Sequence, residues 1–334
     1  DDNSITIDGS TDLAFGEDVG GRFVASGWEV LDADGHDCDE LRRALAQAKA
    51  SEDRPTLIRC RTVIGKGSPN LGGSNKTHGA PLGVEEIAAS KIAMGMDPAV
   101  TFAVPQEVRS WFQRSDPERK EARLEWEGRL RDSAARERWQ AFHSEIDLDG
   151  IQWPEFESGK KLATRKASHA VLNAAAAYVE QLVGGSADLA GSNGSLIKGG
   201  GDVAAGSMAS RNLHFGVREH GMGAICNGLS LHGGVRPYCA TFMVFHDYMR
   251  PSVRLAGLMH QPVVYVYTHD SVYLGEDGPT HQPIEHLMAM RSIPNLWVAR
   301  PCDANETAEA WKLALRRTDG PVALCLTRQG LPIL

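Results

Sequence analysis

The chain has 334 residues and a mass of 36.2 kDa, enough for about two domains that each bury a hydrophobic core. It is 42% hydrophobic and 23% charged, which is typical of a globular protein, and its formal net charge of −8 argues against nucleic acid as the main partner because phosphate backbones bind basic surfaces. We find no apolar run near the ~20 residues of a membrane span and recognise no signal peptide. We therefore expect no nucleic acid and no membrane among its partners.

The six cysteines form no CxxC pair, and most lie in apolar stretches. This pattern argues against a zinc site or a dense disulfide framework and favours a reducing, cytoplasmic setting. The chain begins at Asp1 without a methionine and stops at Leu334 after an apparent strand. We therefore expect it to be a piece of a longer protein.

The first 65 residues alternate short strands with helices, which is typical of βαβ units and a parallel sheet. A loop rich in Gly, Asn, Ser and Pro then covers 65–83, and loops of that length are usually functional or disordered. The predicted strands are 4–7, 28–31 and 56–63, and the predicted helices are 19–25, 39–50 and 84–95.

The segment 114–142 is densely charged, with Trp126, Leu130, Trp139 and Phe142 near helical spacing. This pattern predicts a solvated helix that packs one apolar stripe on the body. Around it we place a charged helical linker at 101–163, which separates a first domain, 1–100, from a second, 164–334.

The second domain again alternates helices with apolar strands. The predicted helices cover 165–182, 219–232, 245–259, 283–290 and 305–316, and the predicted strands cover 235–240, 262–267, 296–299 and 322–326. The predicted fold class is therefore α/β, with two open, mostly parallel sheets flanked by helices and joined by a helical linker.

Ligands of open parallel sheets bind beyond the carboxyl ends of the strands, so polar residues that follow strands are candidates for a site. Three such stretches, 184–193, 268–283 and 327–329, hold His, Asp, Ser and Arg. Arginine and histidine suit phosphate, and aspartate suits hydroxyl groups. Each stretch alone is compatible with an ordinary polar turn, but the three together favour a site for an anionic, polyhydroxylated ligand.

Two further features allow more than one interpretation. Glu219 opens an otherwise apolar helix, where it either interacts with the helix dipole or is a buried carboxylic acid that keeps its proton. Phe242, Phe245 and Tyr248 recur at three-residue spacing, as either a core stripe or a stacking wall for a flat heterocycle.

Five stretches together resemble the transketolase family of thiamine diphosphate enzymes, and the resemblance runs over nearly the whole chain. The opening DDNSITIDG also resembles the tail of the family's metal–diphosphate motif. The five stretches are 67–83 (GSPN to HGAPLG), 183–190 (VGGSADLA), 215–222 (FGVREHGM), 241–248 (TFMVFHDY) and 268–283 (THDSVYLGEDGPTHQP).

The resemblance implies the thiamine diphosphate-binding fold. Residues 1–100 would be the C-terminal part of the diphosphate-binding domain, and 164–334 would be the pyrimidine-binding domain. The front of the first domain, with its GDG sequence, and a third domain would be missing, so we expect a fragment. The implied partners are sugar phosphates and a second subunit, in a homodimer whose active site lies at the subunit interface.

The implied reaction transfers a two-carbon ketol unit from xylulose 5-phosphate to ribose 5-phosphate or erythrose 4-phosphate through a carbanion adduct of thiamine diphosphate. The resemblance leaves open whether this serves the pentose phosphate pathway or carbon fixation. Glu219 matches the acid that exchanges a proton with the aminopyrimidine. The cofactor-binding positions are Phe242, Phe245, Tyr248, Asp188, Leu189, Glu219 and His78.

The resemblance also implies Mg²⁺, for which Ca²⁺ or Mn²⁺ can substitute, held by the Asn3 side chain and the Ile5 carbonyl. Without the resemblance, Asn3 is an ordinary turn residue. Asp277 matches the residue that reads hydroxyl configuration, and His281 and His78 match catalytic histidines that contact the reacting oxygens. The phosphate positions are Arg165, Ser192, His269 and Arg328; the remaining histidines are interpreted as structural.

Two alternatives stay open. The first is another thiamine diphosphate enzyme, such as dihydroxyacetone synthase, which is the closer one, or deoxyxylulose phosphate synthase; the phosphate positions together with Asp277 and His281 favour transketolase over both. The second is a non-catalytic, dimerising fragment or regulatory paralogue. The presence of Glu219 and the loop histidines argues against it, although the missing segments argue for a fragment.

Overall fold

A computed structural model describes all 334 residues and divides them into two units, Asp1–Lys120 and Glu121–Leu334. The division falls inside the linker expected at 101–163, whose bounds stay a prediction. No helix is both long enough and apolar enough to cross a bilayer.

The first unit is built around one βαβ arrangement. In chain order its elements are α1 (Val19–Ala25), β1 (Glu29–Asp34), α2 (Cys38–Ala50), β2 (Thr56–Arg61), α3 (Val84–Ala93) and α4 (Gln106–Gln113), and α5 (Asp116–Arg131) begins in it. The strands β1 and β2 pair in parallel, and Arg59 binds Asp32 across them through Nε and Nη2, each at 2.8 Å. The carboxylate of Asp37 caps α2 by accepting from the N–H groups of Asp39 and Glu40.

The strand predicted at 4–7 is wrong. The Asn3 side chain accepts from the N–H of Ile5 at 2.9 Å, and Ser4 between them has φ 59°. A side chain that bonds its own backbone two residues on forms a turn, and a positive φ does not fit a strand. Only isolated bridges, Asp2 to Arg61 and Ile5 to Ser10, form here.

The second unit carries a six-stranded sheet in the order β5-β4-β6-β7-β9-β8, in which every neighbouring pair is parallel. A short antiparallel pair, β3 with β10, lies apart from it. The elements are α6 (Arg136–Phe142), β3 (Lys161–Ala163), α7 (Thr164–Tyr178), β4 (Leu182–Ser186), α8 (Ala190–Asn193), β5 (Asn212–His214), α9 (Glu219–His232), β6 (Arg236–Phe242), α10 (His246–Leu258), β7 (Val264–Thr268), α11 (His286–Arg291), β8 (Trp297–Ala299), α12 (Ala304–Arg316), β9 (Val322–Leu326) and β10 (Gly330–Pro332).

These elements confirm the predicted α/β class, with open parallel sheets flanked by helices, although the first unit's sheet has two strands. The helix predicted at 165–182 ends earlier, at Tyr178, because β4 already begins at Leu182. The helix predicted across 114–142 is two helices, α5 and α6. Trp126 and Trp139 meet edge to face between them at 5.7 Å while 45% and 39% exposed, so the apolar stripe is only partly covered.

Alternate residues of the central strands face opposite sides of the sheet, which gives two cores. On one side Val264 and Val266 of β7 pack with Trp311 of α12, and on the other Tyr265 and Tyr267 pack with helices α9 and α10. The sheet therefore has helices on both faces, and its edge at the carboxyl ends of the strands is left for ligands.

Two glycines let β4 pass closely between its neighbours. A Cβ on Gly185 would lie 1.8 Å from the carbonyl oxygen of Leu213 in β5, and one on Gly184 would lie 2.0 Å from that of Tyr238 in β6. Both distances are far below van der Waals contact. The spacing of three strands in the sheet therefore depends on these two residues.

Candidate functional site

Three aromatic side chains form a stacked wall where β6 ends. Phe242 is the last residue of the strand, one turn of 3-10 helix (Met243–Phe245) follows, and Tyr248 lies in the first turn of α10. The rings of Phe242 and Phe245 stack at 6.0 Å and 12°, and those of Phe245 and Tyr248 at 5.9 Å and 25°. Because Phe242 is 8% exposed and Tyr248 65%, the stack runs from the core to the surface. This arrangement favours the stacking wall over a core stripe.

Two of the predicted histidines flank this aromatic wall. The ring of His269 lies 3.8 Å from that of Phe242, and the ring of His281 meets Phe245 edge to face at 5.4 Å. The Nδ1 atom of His281 lies 2.8 Å from the hydroxyl of Thr280. The loop 268–283 thus brings both imidazoles to the aromatic residues that the sequence analysis singled out.

Two residues just beyond strand ends have left-handed backbones. Asp188, after β4, has φ 61°, and His269, after β7, has φ 59°. Such a conformation costs a non-glycine residue about 1–3 kcal/mol, although aspartate and histidine adopt it more readily than most residues. Asp188 is exposed and Leu189 is half-buried, so this turn lies at the surface of the sheet edge.

A buried hydrogen-bond chain holds His269 in place. The amide of Asn193 accepts from the hydroxyl of Ser186 at 2.6 Å and donates to the hydroxyl of Thr268 at 2.6 Å. That hydroxyl lies 2.9 Å from Nδ1 of His269. All four residues are buried, which makes the chain costly to interrupt. We name Ser186, Asn193, Thr268 and His269 the buried polar chain.

The sequence analysis missed three members of the buried polar chain. Ser186 is the last residue of β4, Asn193 is the last residue of α8, and Thr268 is the last residue of β7. The residue types alone did not distinguish them from turn residues. Their only sequence signal was their place within the two polar stretches that follow strands.

Two arginines lie beyond the ends of neighbouring elements. Arg165, in the first turn of α7, donates through Nη1 to the carbonyl of Ser192 at 2.5 Å, while its Nε is buried without a partner. Arg328 follows β9 and lies 3.6 Å from Glu276. Burial lowers the pKa of Arg165, and the positive charge of Arg328 lowers it further. Two positively charged guanidinium groups, one of which has an Nε–H without a partner, are suited to bind an anion such as a phosphate.

The imidazole of His269 is neutral near pH 7. Burial lowers its pKa to about 4, the charges of Arg165, Arg328 and His281 lower it as well, and Asp277 acts in the opposite direction. His269 and the four residues whose charges act on it, all of them predicted site residues, therefore belong to one electrostatic environment. A neutral imidazole between two arginines can donate to an anion or accept from a hydroxyl group without adding charge.

Glu219 is the first residue of α9 and is 8% exposed. Helix α9 packs against α10, which begins next to the aromatic wall. Its place at the helix N-terminus is consistent with the dipole interpretation, and its burial is consistent with the buried-acid interpretation. The neighbouring Arg218 donates to the carbonyl of Phe215 at 2.9 Å.

In the first unit, the two predicted metal ligands lie in one bend. The Oδ1 atom of Asn3 accepts from the N–H of Ile5, and its Nδ2 donates to Asp1 at 2.7 Å. The oxygen keeps a second lone pair. His78 is exposed and follows one turn of 3-10 helix, Asn75–Thr77, inside the loop predicted at 65–83.

A cavity of about 1120 Å³ does not coincide with these residues. It lies between α6 and α7, with Trp139, Asn173 and Arg211 in its lining. None of the predicted site residues lines it, and the chemically organised residues lie instead at the open carboxyl edge of the sheet.

Comparison with known proteins identifies the family of the chain. Residues 160–333 match the family model described as the transketolase pyrimidine binding domain, and residues 1–150 match the transketolase thiamine diphosphate binding domain. A transketolase of Geobacillus stearothermophilus is 49% identical over the whole chain. The crystal structure of transketolase from Campylobacter jejuni superposes with a TM-score of 0.94 at 42% identity, covering 100% of this chain and 52% of that one.

A further solved structure, transketolase from Pichia stipitis in complex with sedoheptulose 7-phosphate, is 38% identical with a TM-score of 0.93 and covers all of this chain and 52% of that one. The chain spans about half the length of its curated relatives, 51% of the Geobacillus protein. With both domain models matched over almost all of its residues, the chain belongs to the transketolase family.

Proposed function

We propose that this chain supplies the diphosphate-binding and pyrimidine-binding parts of a transketolase that transfers a two-carbon ketol unit from xylulose 5-phosphate to ribose 5-phosphate or erythrose 4-phosphate. The observation that carries the proposal is the carboxyl edge of the six-stranded sheet. There a stacked aromatic wall, two imidazoles and two arginines lie together. A flat heterocycle and an anionic sugar are the ligands that such an edge suits.

The residues fit the aminopyrimidine half of thiamine diphosphate. Phe242, Phe245 and Tyr248 would stack against its ring, and Asp188 and Leu189 would lie near it. Glu219 would hold a proton at a ring nitrogen, a role that suits a carboxyl which is 8% exposed. When bound, the cofactor supplies the carbanion chemistry that no protein side chain provides.

Magnesium would hold the diphosphate, and Ca²⁺ or Mn²⁺ could replace it. The oxygen ligands from this chain would be Oδ1 of Asn3 and the carbonyl of Ile5, which lie in one bend. Octahedral Mg²⁺ takes about six oxygens, so the remaining ligands would come from the diphosphate, water and another protein carboxylate.

The sugar phosphate would be held through its charge. Arg165, Ser192 and Arg328 would bind the phosphate, with His269 as a neutral donor beside them. Asp277 would read hydroxyl configuration. His281 and His78 would contact the reacting oxygens and move protons, which imidazoles do near neutral pH.

The proposed enzyme would be a cytoplasmic homodimer. Val217, Tyr248 and Ile284 are 73%, 65% and 73% exposed, and large apolar side chains in such number favour coverage by a second subunit. The six cysteines are all unpaired, which fits a reducing compartment.

The test is ketol transfer by the full-length protein that contains this chain. Sedoheptulose 7-phosphate formed from xylulose 5-phosphate and ribose 5-phosphate would be measured with thiamine diphosphate and magnesium supplied. We expect turnover, and we expect Glu219→Ala to abolish it while the circular dichroism spectrum is unchanged. Glu309→Ala, an exposed glutamate of α12, is the matched control and should remain active.

Full activity of Glu219→Ala under these conditions would overturn the role given to Glu219. Turnover that requires formaldehyde as the acceptor would instead favour dihydroxyacetone synthase. Absence of any ketol transfer by the folded wild-type protein would overturn the proposed function.

A further inference from the structure

A buried histidine lies between two carboxylates at the start of α11. The side chain of His286 is 5% exposed; its Nε2 lies 3.2 Å from Oδ2 of Asp247, and its Nδ1 lies 3.9 Å from Oε2 of Glu285. Despite these distances, neither ring nitrogen makes a hydrogen bond. The three side chains can present ligand atoms that all lie within 4.8 Å of one another.

We propose that Asp247, Glu285 and His286 form a divalent transition-metal site of the zinc class. It is separate from Asn3 and Ile5, and it does not rest on the proposed function. We call these three residues the histidine–carboxylate site.

The unpartnered imidazole is the first argument. A buried polar group without a partner costs about 1–3 kcal/mol, so native proteins rarely leave both nitrogens of one ring unsatisfied. Both carboxylates lie within ion-pair distance of the ring, but neither ring N–H is aligned for a hydrogen bond to a carboxylate oxygen. A metal ion removes the need for such alignment, because the ring nitrogen and the carboxylate oxygen then both point at the ion and not at each other.

The distances are the second argument. Zinc binds imidazole nitrogen and carboxylate oxygen at about 2.0–2.2 Å in tetrahedral geometry, which places two ligand atoms roughly 3.3 Å apart. The 3.2 Å between Nε2 of His286 and Asp247 matches this spacing. Glu285 lies nearer the other ring nitrogen, Nδ1, at 3.9 Å, and one ligand atom from each residue falls within 4.8 Å of the others, so its exposed side chain must change rotamer to join an ion bound at Nε2. The side chains of Asp247 and Glu285 are 58% and 72% exposed, so they can change conformation, and water can occupy the fourth coordination position of the ion.

The ligand types select the metal. An imidazole with two carboxylates suits zinc and its transition-metal neighbours, whereas magnesium prefers oxygen ligands alone. Two negative charges would also neutralise the divalent ion.

The location suggests what the ion would do. Asp247 lies between Phe245 and Tyr248 at the start of α10, and Glu285 with His286 directly follows the loop 268–283. An ion there would tie the beginning of α10 to the beginning of α11. It would thereby hold the end of the loop that carries His281 close to the aromatic wall.

The test is zinc binding by the full-length protein, stripped with EDTA, dialysed and free of thiamine diphosphate. Calorimetric titration with Zn²⁺ would give the affinity, and Co²⁺ would serve as a visible-absorption probe. We expect a Zn²⁺ affinity that falls by about 100-fold in His286→Gln, since even residues behind metal ligands are worth 10–100-fold. Asp247→Asn, at an exposed position that does not endanger folding, should weaken binding in the same direction.

The matched control is His214→Gln, because His214 pairs with Asp202 at 2.8 Å in a histidine–carboxylate pair that is not one of the clustered metal-ligand sets. It should leave the affinity unchanged. No Zn²⁺ binding by the wild type, or equal affinities in wild type, His286→Gln and Asp247→Asn, would overturn the proposal. Because the readout is metal affinity, a protein that binds zinc at His286 but transfers no ketol unit would refute the proposed function alone.

Discussion

The buried polar chain predicts that Asn193 stabilises the site edge more than its size suggests. Asn193 is fully buried, and its amide joins Ser186 at the end of β4 to Thr268 at the end of β7. In Asn193→Ala the hydroxyl of Ser186 keeps the carbonyl of Ala240 as its acceptor, at 3.0 Å. The hydroxyl of Thr268, however, loses the donor it accepts from.

The magnitude follows from these contacts. One buried oxygen left without its donor costs about 1–3 kcal/mol, and the emptied amide space adds about 1 kcal/mol. We therefore expect the free energy of unfolding of the second unit to fall by about 3 kcal/mol. For a unit of roughly 200 residues this corresponds to a decrease in Tm of about 6–12 °C.

The assay is thermal unfolding followed by circular dichroism, with Asn305→Ala as control. Asn305 is an exposed asparagine of α12 whose side chain reaches only the carbonyl of Leu334 at 3.3 Å, so its loss should change Tm by less than about 2 °C. Equal Tm values for Asn193→Ala and Asn305→Ala would refute the reasoning, since the buried polar chain would then contribute nothing measurable.

Three further predictions concern the same edge of the sheet. The folded pKa of His269 is about 4, below the ordinary value of 6.5, so the unfolded chain takes up a proton first and stability falls as pH drops from about 6.5 towards 4. Between pH 7 and pH 5, the Tm of His269→Gln should therefore fall less than the Tm of the wild type. An equal decrease in both proteins would contradict the lowered pKa of His269. Arg165→Lys should raise the KM for xylulose 5-phosphate by about tenfold and affect an unphosphorylated ketol donor little, because lysine lacks the planar set of donors with which a guanidinium binds phosphate. Equal effects on both donors would contradict a phosphate role. Gly185→Ala should lower Tm by more than 10 °C or prevent folding, because its Cβ would lie 1.8 Å from a carbonyl oxygen. Gly228→Ala in α9, whose Cβ would have no atom within 4 Å, should be neutral or slightly stabilising. Similar Tm values for the two variants would count against the close approach of β4 and β5.

The sequence predicted the architecture of the second unit better than that of the first. Strands such as β7 and β9 are continuous apolar runs, and helix periodicity is plain in α7 and α12, so the alternation is readable from residue types. The predicted strand at 4–7 failed because Asn3 and Ser4 form a turn. That turn depends on one side-chain hydrogen bond, which β-propensity does not report.

The candidate site was predictable where side-chain type decides and unpredictable where geometry decides. Phe242 and His269 were found because aromatic and imidazole groups after strands point to chemistry, whereas Arg165 was identified only through the resemblance to the transketolase family. Asn193 and Thr268 were missed because such polar residues acquire a role only when α8 and β7 bring them within 2.6 Å of each other. The same holds for His286, which was interpreted as structural and whose unpartnered ring became evident only in three dimensions.

The most direct test of the central claim is calorimetric titration of the full-length protein with thiamine diphosphate, in magnesium and again in EDTA. The account predicts tight binding with magnesium that is lost in EDTA, because the aromatic wall and Glu219 would bind the pyrimidine while the ion holds the diphosphate. No binding in either condition, by protein shown to be folded, would contradict it.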